Sequence, residues 1–334
     1  MFAPKATFTV VASLLASAVL SNSARSAEPG DPLPRTGDEI VVCGQLFHTT
    51  APVVLWMDPG GYDAYRVERR FSPYDRSSWR DSVEDAGLDT PNRYGLRTDG
   101  LSDEQIEQVR GGGWDLPLLQ EKVDQFVMHY DVCGVSRTCF KVLHDARGLS
   151  VHFMLDVDGT IYQTIDLKER AWHATTSNTR SIGIEIANIG AYPPGDLDVL
   201  SRWYVPHADG GVLLRPPVQV TGIRTPNFVG RPDRKELITG TIQGRELSQY
   251  DFTPEQYDSL TKLTATLCTI FPKIECKYPV DEAGELIPRR LPQDQLDSYQ
   301  GVLGHFHIQT NKTDPGPAFD WEKVIGGARE LMQK

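Results

Sequence analysis

Residues 150–166 read SVHFMLDVDGTIYQTID. Two β-rich runs meet at Asp158-Gly159, a dipeptide favoured in two-residue hairpin turns because the central residues need positive φ. The stretch therefore predicts an antiparallel strand pair. Upstream, VDQFVMHY (residues 123–130) reads as a strand ending at His129. A helix from about Ser136 to Arg147, stopped by Gly148, separates the two. Downstream, SIGIEIAN (residues 181–188) is another strand. A hairpin set among strands and helices predicts an α/β fold, with a mixed central β-sheet flanked by helices.

Two later helices are marked by their ends. Thr253 is an N-cap followed by Pro254 at the first position and Gln256 at the third. Tyr257, Leu260, Thr264, Leu267 and Phe271 then keep helical spacing. A last helix begins near Asp320 and turns Trp321, Val324, Ile325, Ala328, Leu331 and Met332 inward. Between strand and helix, residues 190–250 are rich in proline, glycine and charge and read as a long insertion. Residues 28–120 read as an N-terminal extension packed on, or leading into, a main domain at 121–334. In that extension EIVVCGQLF and APVVLWMD resemble strands. Ser102 and Gln105 form a capping box for a short helix ended by Gly111, Gly112 and Gly113.

Composition narrows the function classes. The 334 residues carry a formal charge of −11 and a pI near 5.2, so no basic stripe is available for a nucleic-acid groove. The apolar run from Ala6 to Leu20 is too short to span a bilayer and fits a secretory signal peptide within residues 1–27. That predicts a periplasmic or secreted protein with no transmembrane segment once the leader is removed. Export to an oxidising compartment makes Cys133 with Cys139, and Cys268 with Cys276, candidates for local disulfides. Cys43 is left over.

Alternation makes SIGIEIAN legible. Ile182, Ile184 and Ile186 share one face and belong in the core; Gly183, Glu185 and Ala187 share the other. Glu185 projects between two small residues, as a carboxylate in a cleft would, although a solvated glutamate on an open face has the same pattern. The segment GHFHIQTNKTDPGPAF (residues 304–319) adds two histidines, a lysine and an aspartate. Zinc catalysis takes three protein ligands and leaves one position open. His129, one of His305 or His307, and Asp314 could supply them. No HExxH or paired CxxC pattern is present, and a polar surface loop accounts for the segment equally well.

Taken together, FVMHY, LSVHFMLDVDGTIYQ, ERAWHA, SIGIEIAN and GHFHIQTNKTDPGPAFDW resemble the zinc-dependent N-acetylmuramoyl-L-alanine amidases. That family shares its fold with the peptidoglycan recognition proteins. The motifs fall in the family's order and cover about 120 to 330. The resemblance implies one zinc ion held by His129, His305 and Asp314, with Glu185 and Lys312 catalytic and His173 in the substrate cleft. It also implies a Cys133–Cys139 disulfide. One departure stands out: phage-type relatives place a catalytic tyrosine where this chain has Val151, which aligns the chain with the glutamate-using branch. The implied activity is hydrolysis of the amide between N-acetylmuramic acid and L-alanine in peptidoglycan or muropeptides. The alternatives are a non-catalytic peptidoglycan-binding module and a zinc peptidase acting within the stem peptide.

Overall fold

The computed structural model describes residues 28–87 and 93–334; the leader reading of residues 1–27 lies outside the described residues. The chain divides into two units, Met1–Arg35 and Thr36–Lys334. In the first, the described residues make a turn in which the Asp31 amide donates to the Glu28 carbonyl.

In the second unit, β1 (Glu39–Val42) and β2 (Gln45–His48) pair as a hairpin. The run EIVVCGQLF therefore divides where the sequence suggests one strand. Cys43 and Gly44 both take positive φ, 50° and 73°, as a tight hairpin turn requires. Next come β3 (Val53–Leu55), α1 (Trp79–Ala86), α2 (Asp103–Arg110), α3 (Leu116–Lys122) and β4 (Gln125–Tyr130). Ser102 and Gln105 form the expected capping box on α2. The predicted helix after β4 begins as α4 (Ser136–Phe140) and continues as a π-helical stretch, Lys141–Ala146. The hairpin of β5 (Phe153–Leu155) and β6 (Ile161–Gln163) turns at Gly159, and β7 (Ser181–Ile186) follows. Residues 190–250 are not a structureless loop. They contain α5 (Asp198–Trp203), the hairpin of β8 (Tyr204–Pro206) with β9 (Val212–Leu214), and that of β10 (Ile238–Ile242) with β11 (Arg245–Gln249). The chain ends with α6 (Pro254–Ile270), α7 (Gln293–Ser298), β12 (Gly301–Gly304) and α8 (Trp321–Met332).

Six strands form the central sheet in the order β12-β4-β7-β5-β6-β3. Only β5 and β6 run antiparallel; the other neighbours are parallel. The sheet is therefore mixed, and β3 from the N-terminal segment closes one edge. Alternation divides its faces. Phe126 and Met128 of β4 and Ile182, Ile184 and Ile186 of β7 enter one apolar core with Leu260, Leu263 and Leu267 of α6 and Val324 and Ile325 of α8. On the other face Val127 and Met154 belong to separate apolar clusters. Burial on both faces is what parallel strands require. On α8, Leu331 and Met332 are 38% and 44% exposed, so the inner face ends at Ala328, where the last helical turn runs past the core.

The N-terminus of α6 holds two layers together. The Thr253 hydroxyl accepts from the Gln256 amide at 3.1 Å and donates to the Val157 carbonyl at 2.7 Å. The Gln256 side chain donates to the Ala187 carbonyl at 2.8 Å, just beyond β7. Gly159 has φ +81°, and a Cβ there would meet the Glu255 carbonyl oxygen at 2.7 Å. The hairpin turn can thus sit on the first turn of α6 only with glycine at this position. Replacing Thr253 by Ala removes a cap and leaves the buried Val157 carbonyl without its donor. We expect a loss of about 2 kcal/mol, the upper end of the usual cap range, read from urea unfolding; a loss below about 0.5 kcal/mol contradicts this role.

Candidate metal centre and catalytic cleft

The β4–β7 register pairs His129 with Glu185. Both lie on the face opposite the α6–α8 core, near the C-terminal ends of parallel strands, where α/β sheets present ligand sites. His305 follows β12 directly, in a 3-10 turn (His305–His307) rather than on a strand. Asp314 arrives from the succeeding loop.

Three atoms converge. His129 Nδ1 lies 2.9 Å from His305 Nδ1 and 2.8 Å from Asp314 Oδ2, and His305 Nδ1 is 2.9 Å from the same oxygen. All three residues are at least nine-tenths buried. The outward nitrogens are taken: His305 Nε2 meets Gln309 Oε1 at 2.6 Å, and His129 Nε2 meets His173 Nδ1 at 3.0 Å. An outward N–H on each ring leaves both Nδ1 lone pairs facing a carboxylate oxygen. Two imidazole nitrogens and one carboxylate oxygen suit zinc, and a set of three leaves a position open. The residues present therefore fit the metal.

Charge in the cleft agrees. A cavity of about 160 Å³ is lined by His129, Glu185, His305, Lys312 and Asp314, and also by Asp131. Burial pushes the Glu185 carboxyl well above its usual range, and the charges of Asp314 and Asp131 add to the shift while Lys312 opposes it. Asp131 is pushed up to about 7, chiefly by burial. Its Oδ1 accepts from the amides of Cys133, Gly134 and Asn188, while its Oδ2 is buried with no hydrogen-bond partner. Burial first, and then His305, lower His129 to about 4, which keeps it neutral with a lone pair to give. Burial alone raises the Asp314 pKa, but His305 and the hydrogen bonds with both histidines outweigh it and hold the carboxyl ionised.

The remaining expected residues are placed as follows. Lys312 lines the cavity beside Glu185. His173 also lines it, yet both its ring nitrogens are engaged by protein groups, His129 and Ser181. His307 turns away, accepting from the Gly304 amide and donating to the Ile287 carbonyl. Val151 is buried in an apolar cluster. The disulfides Cys133–Cys139 and Cys268–Cys276 are not formed; all five cysteines are free. Cys139 is a buried thiol hydrogen-bonded with Cys133, and that contact and burial both raise its pKa. A second group, Asp38, Glu39 and His48, also clusters. Its carboxylates already accept backbone amides from Thr36, Gly37 and Thr50, so it is explained as a loop anchor.

Some supporting residues were not singled out by sequence. Gln309 lies four residues beyond His305, and Ser181 shares the Glu185 face by alternation, so both had a signal. Asp131 had none. Nor did Gln243 and Gln249, which join the insertion to the loop between His305 and Ala318. Gln243 donates to the carbonyls of Phe306 and Gln309. Gln249 donates to the Pro315 carbonyl and accepts from the Ala318 amide.

A family model described as N-acetylmuramoyl-L-alanine amidase matches residues 119–317. Among curated proteins, the chain is 22% identical over 220 residues to 1,6-anhydro-N-acetylmuramyl-L-alanine amidase AmpD of Haemophilus influenzae, covering 66% of this chain and 74% of that protein. A solved selenomethionine derivative of AmpD is 18% identical, with a TM-score of 0.33 over 72% of this chain and 92% of that one. The amidase AmiD from E. coli, solved with anhydro-N-acetylmuramic acid-L-Ala-D-gamma-Glu-L-Lys, is 18% identical, with a TM-score of 0.34 over 62% of this chain and 57% of that one.

The Glu185 environment makes a stability prediction for the metal-free protein. Unfolded, a glutamate titrates near pH 4.3; folded, Glu185 keeps its proton to higher pH. The folded state therefore binds the extra proton between those values, and the protein loses stability as pH rises through that window. Glu185→Gln removes the loss. In chelator its Tm should exceed the parent's by at least about 2 °C at pH 7 and converge with it by pH 4. A lower Tm at pH 7 contradicts the prediction.

Proposed function

The chain belongs to the N-acetylmuramoyl-L-alanine amidase family, and we propose that it is a zinc amidase cutting the bond between the lactyl group of N-acetylmuramic acid and L-alanine of the stem peptide. The observation that carries the reading is the triangle of His129, His305 and Asp314 set beside Glu185 and Lys312 in one cavity. His129, His305 and Asp314 would hold one zinc ion. Zinc, when bound, polarises a carbonyl and brings the pKa of a water to about 7.

Glu185 takes a proton from the attacking water and passes it to the departing L-alanine nitrogen, so that one carboxyl serves as base and then as acid. The water oxygen bonds to the lactyl carbonyl carbon, the C–N bond breaks, and a carboxylic acid and a free amine result. Its raised proton affinity suits the second role, while Lys312 favours the ionised form needed for the first. The Lys312 ammonium supplies a donor for the oxyanion that develops on the carbonyl oxygen. With no tyrosine at position 151, proton transfer rests on Glu185. The apolar run at residues 6–20 supports export, and the enzyme would then meet peptidoglycan or muropeptides in the periplasm or outside the cell. No helix of the described residues is long and apolar enough to cross a membrane.

Mass spectrometry of muropeptides digested with the zinc-loaded protein tests the reading. Free stem peptide beginning with L-alanine is expected. Shortened peptide would instead mark a zinc peptidase, and no product a binding module. Glu185→Ala should keep its zinc and lose nearly all turnover, and an active Glu185→Ala enzyme sinks the base assignment. Lys312→Met should lower kcat by about 10²–10³, as loss of one oxyanion donor does.

A further inference from the structure

Resting on the metal-site reading, we propose that His173 is a positioning residue for the metal rather than a substrate contact. It fixes the tautomer and orientation of His129, and Ser181 and Gly183 of β7 fix His173 in turn.

Nitrogen bookkeeping sets the direction of every bond. A histidine that offers Nδ1 to a metal carries its proton on Nε2. His129 Nε2 faces His173 Nδ1 at 3.0 Å, so His173 must accept there. A neutral imidazole that accepts at Nδ1 carries its own proton on Nε2. His173 Nε2 lies 3.2 Å from the Ser181 hydroxyl, which takes that proton's hydrogen bond. Both nitrogens are then used, and none is free for a substrate. The two rings stand nearly perpendicular, at 85°, so they meet edge to face rather than stacked. Backbone contacts hold the base of the residue, because Asn178 Oδ1 accepts from the amides of His173 and Ala174 at 3.0 and 2.7 Å.

Gly183 supplies an independent observation. A Cβ on it would lie 2.4 Å from His173 Nδ1 and 2.5 Å from Cε1. The imidazole therefore lies flush against the strand in space that a side chain would fill. Ser181, Gly183 and Glu185 occupy one face of β7 at successive alternate positions. The first receives the hydrogen bond from His173, the second makes room for its ring, and the third faces the reaction. The glycine in this strand, which weakens a strand in isolation, is thus required by the ring it accommodates. On the other ligand, Gln309 holds His305 at 2.6 Å in the same manner, so each ligand histidine has an outer partner.

Partners of this kind are worth 10–100-fold in metal affinity. The test measures zinc affinity by competition with a chromophoric chelator, with thermal unfolding in zinc-free buffer as a check on folding. His173→Leu should bind zinc about 10–100-fold more weakly. His173→Asn keeps an acceptor oxygen near the Nδ1 position and should restore most of the affinity. Gly183→Ala deletes no polar group yet should weaken zinc binding by displacing the ring. Parental zinc affinity in His173→Leu, with the defect confined to KM, overturns the proposal in favour of a substrate role. Should His173→Leu fail to fold, Ser181→Ala carries the test. A several-fold weaker affinity supports the relay, and unchanged affinity overturns it. A parent protein that binds no zinc would instead overturn the metal-site reading itself.

Discussion

The parallel register of β4 against β7 is the constraint on which the site depends. It pairs His129 with Glu185, so the proposed metal ligand and the proposed acid–base carboxylate are neighbours across a ladder of backbone hydrogen bonds. A slip of β7 by one residue would turn Glu185 toward the α6–α8 core and bring Ile184 to the cleft, while His129 stayed where it is. The isoleucines of β7 resist that slip because each is fully buried against α6 and α8. Catalytic geometry and core packing are thus two faces of one strand.

The second histidine and the aspartate reach this ladder from a loop, which needs outside support. Much of it comes from the segment at 190–250. Gln243 grips the chain after His305, and Gln249 grips it after Asp314. Gly316 leaves room for that second contact, since a Cβ there would lie 2.1 Å from Gln249 Oε1. The segment that reads as an insertion in sequence therefore clamps both ends of the loop that carries Asp314.

Periodicity and capping chemistry made much of the fold legible. Asp158-Gly159 marked the hairpin, Thr253 and Gln256 marked α6, and the alternation of SIGIEIAN told which face of β7 is core. Those signals are local, and the structure keeps them. The split of EIVVCGQLF at Cys43 is not legible in sequence, because positive φ at a non-glycine residue leaves little trace in composition. Within the site, His129, His305, Asp314, Glu185 and Lys312 could be named through ordered motifs, and the structure brings them together. Asp131 could not, because what distinguishes it is burial and a carboxylate oxygen left without a donor, which depend on the assembled cleft.

Burial raises the proton affinity of Asp131 and Glu185 at one cavity, which costs folding stability at neutral pH that a cation bound there would restore. On the proposed reading, His129, His305 and Asp314 would surround one zinc ion. Anomalous diffraction at the zinc edge, from crystals of the zinc-loaded protein, tests it most directly. A single strong peak bounded by Nδ1 of His129, Nδ1 of His305 and Oδ2 of Asp314 is expected, with Glu185 and His173 outside the ligand set. The absence of a peak at that position, or a peak ligated by Glu185 or His173, would contradict it.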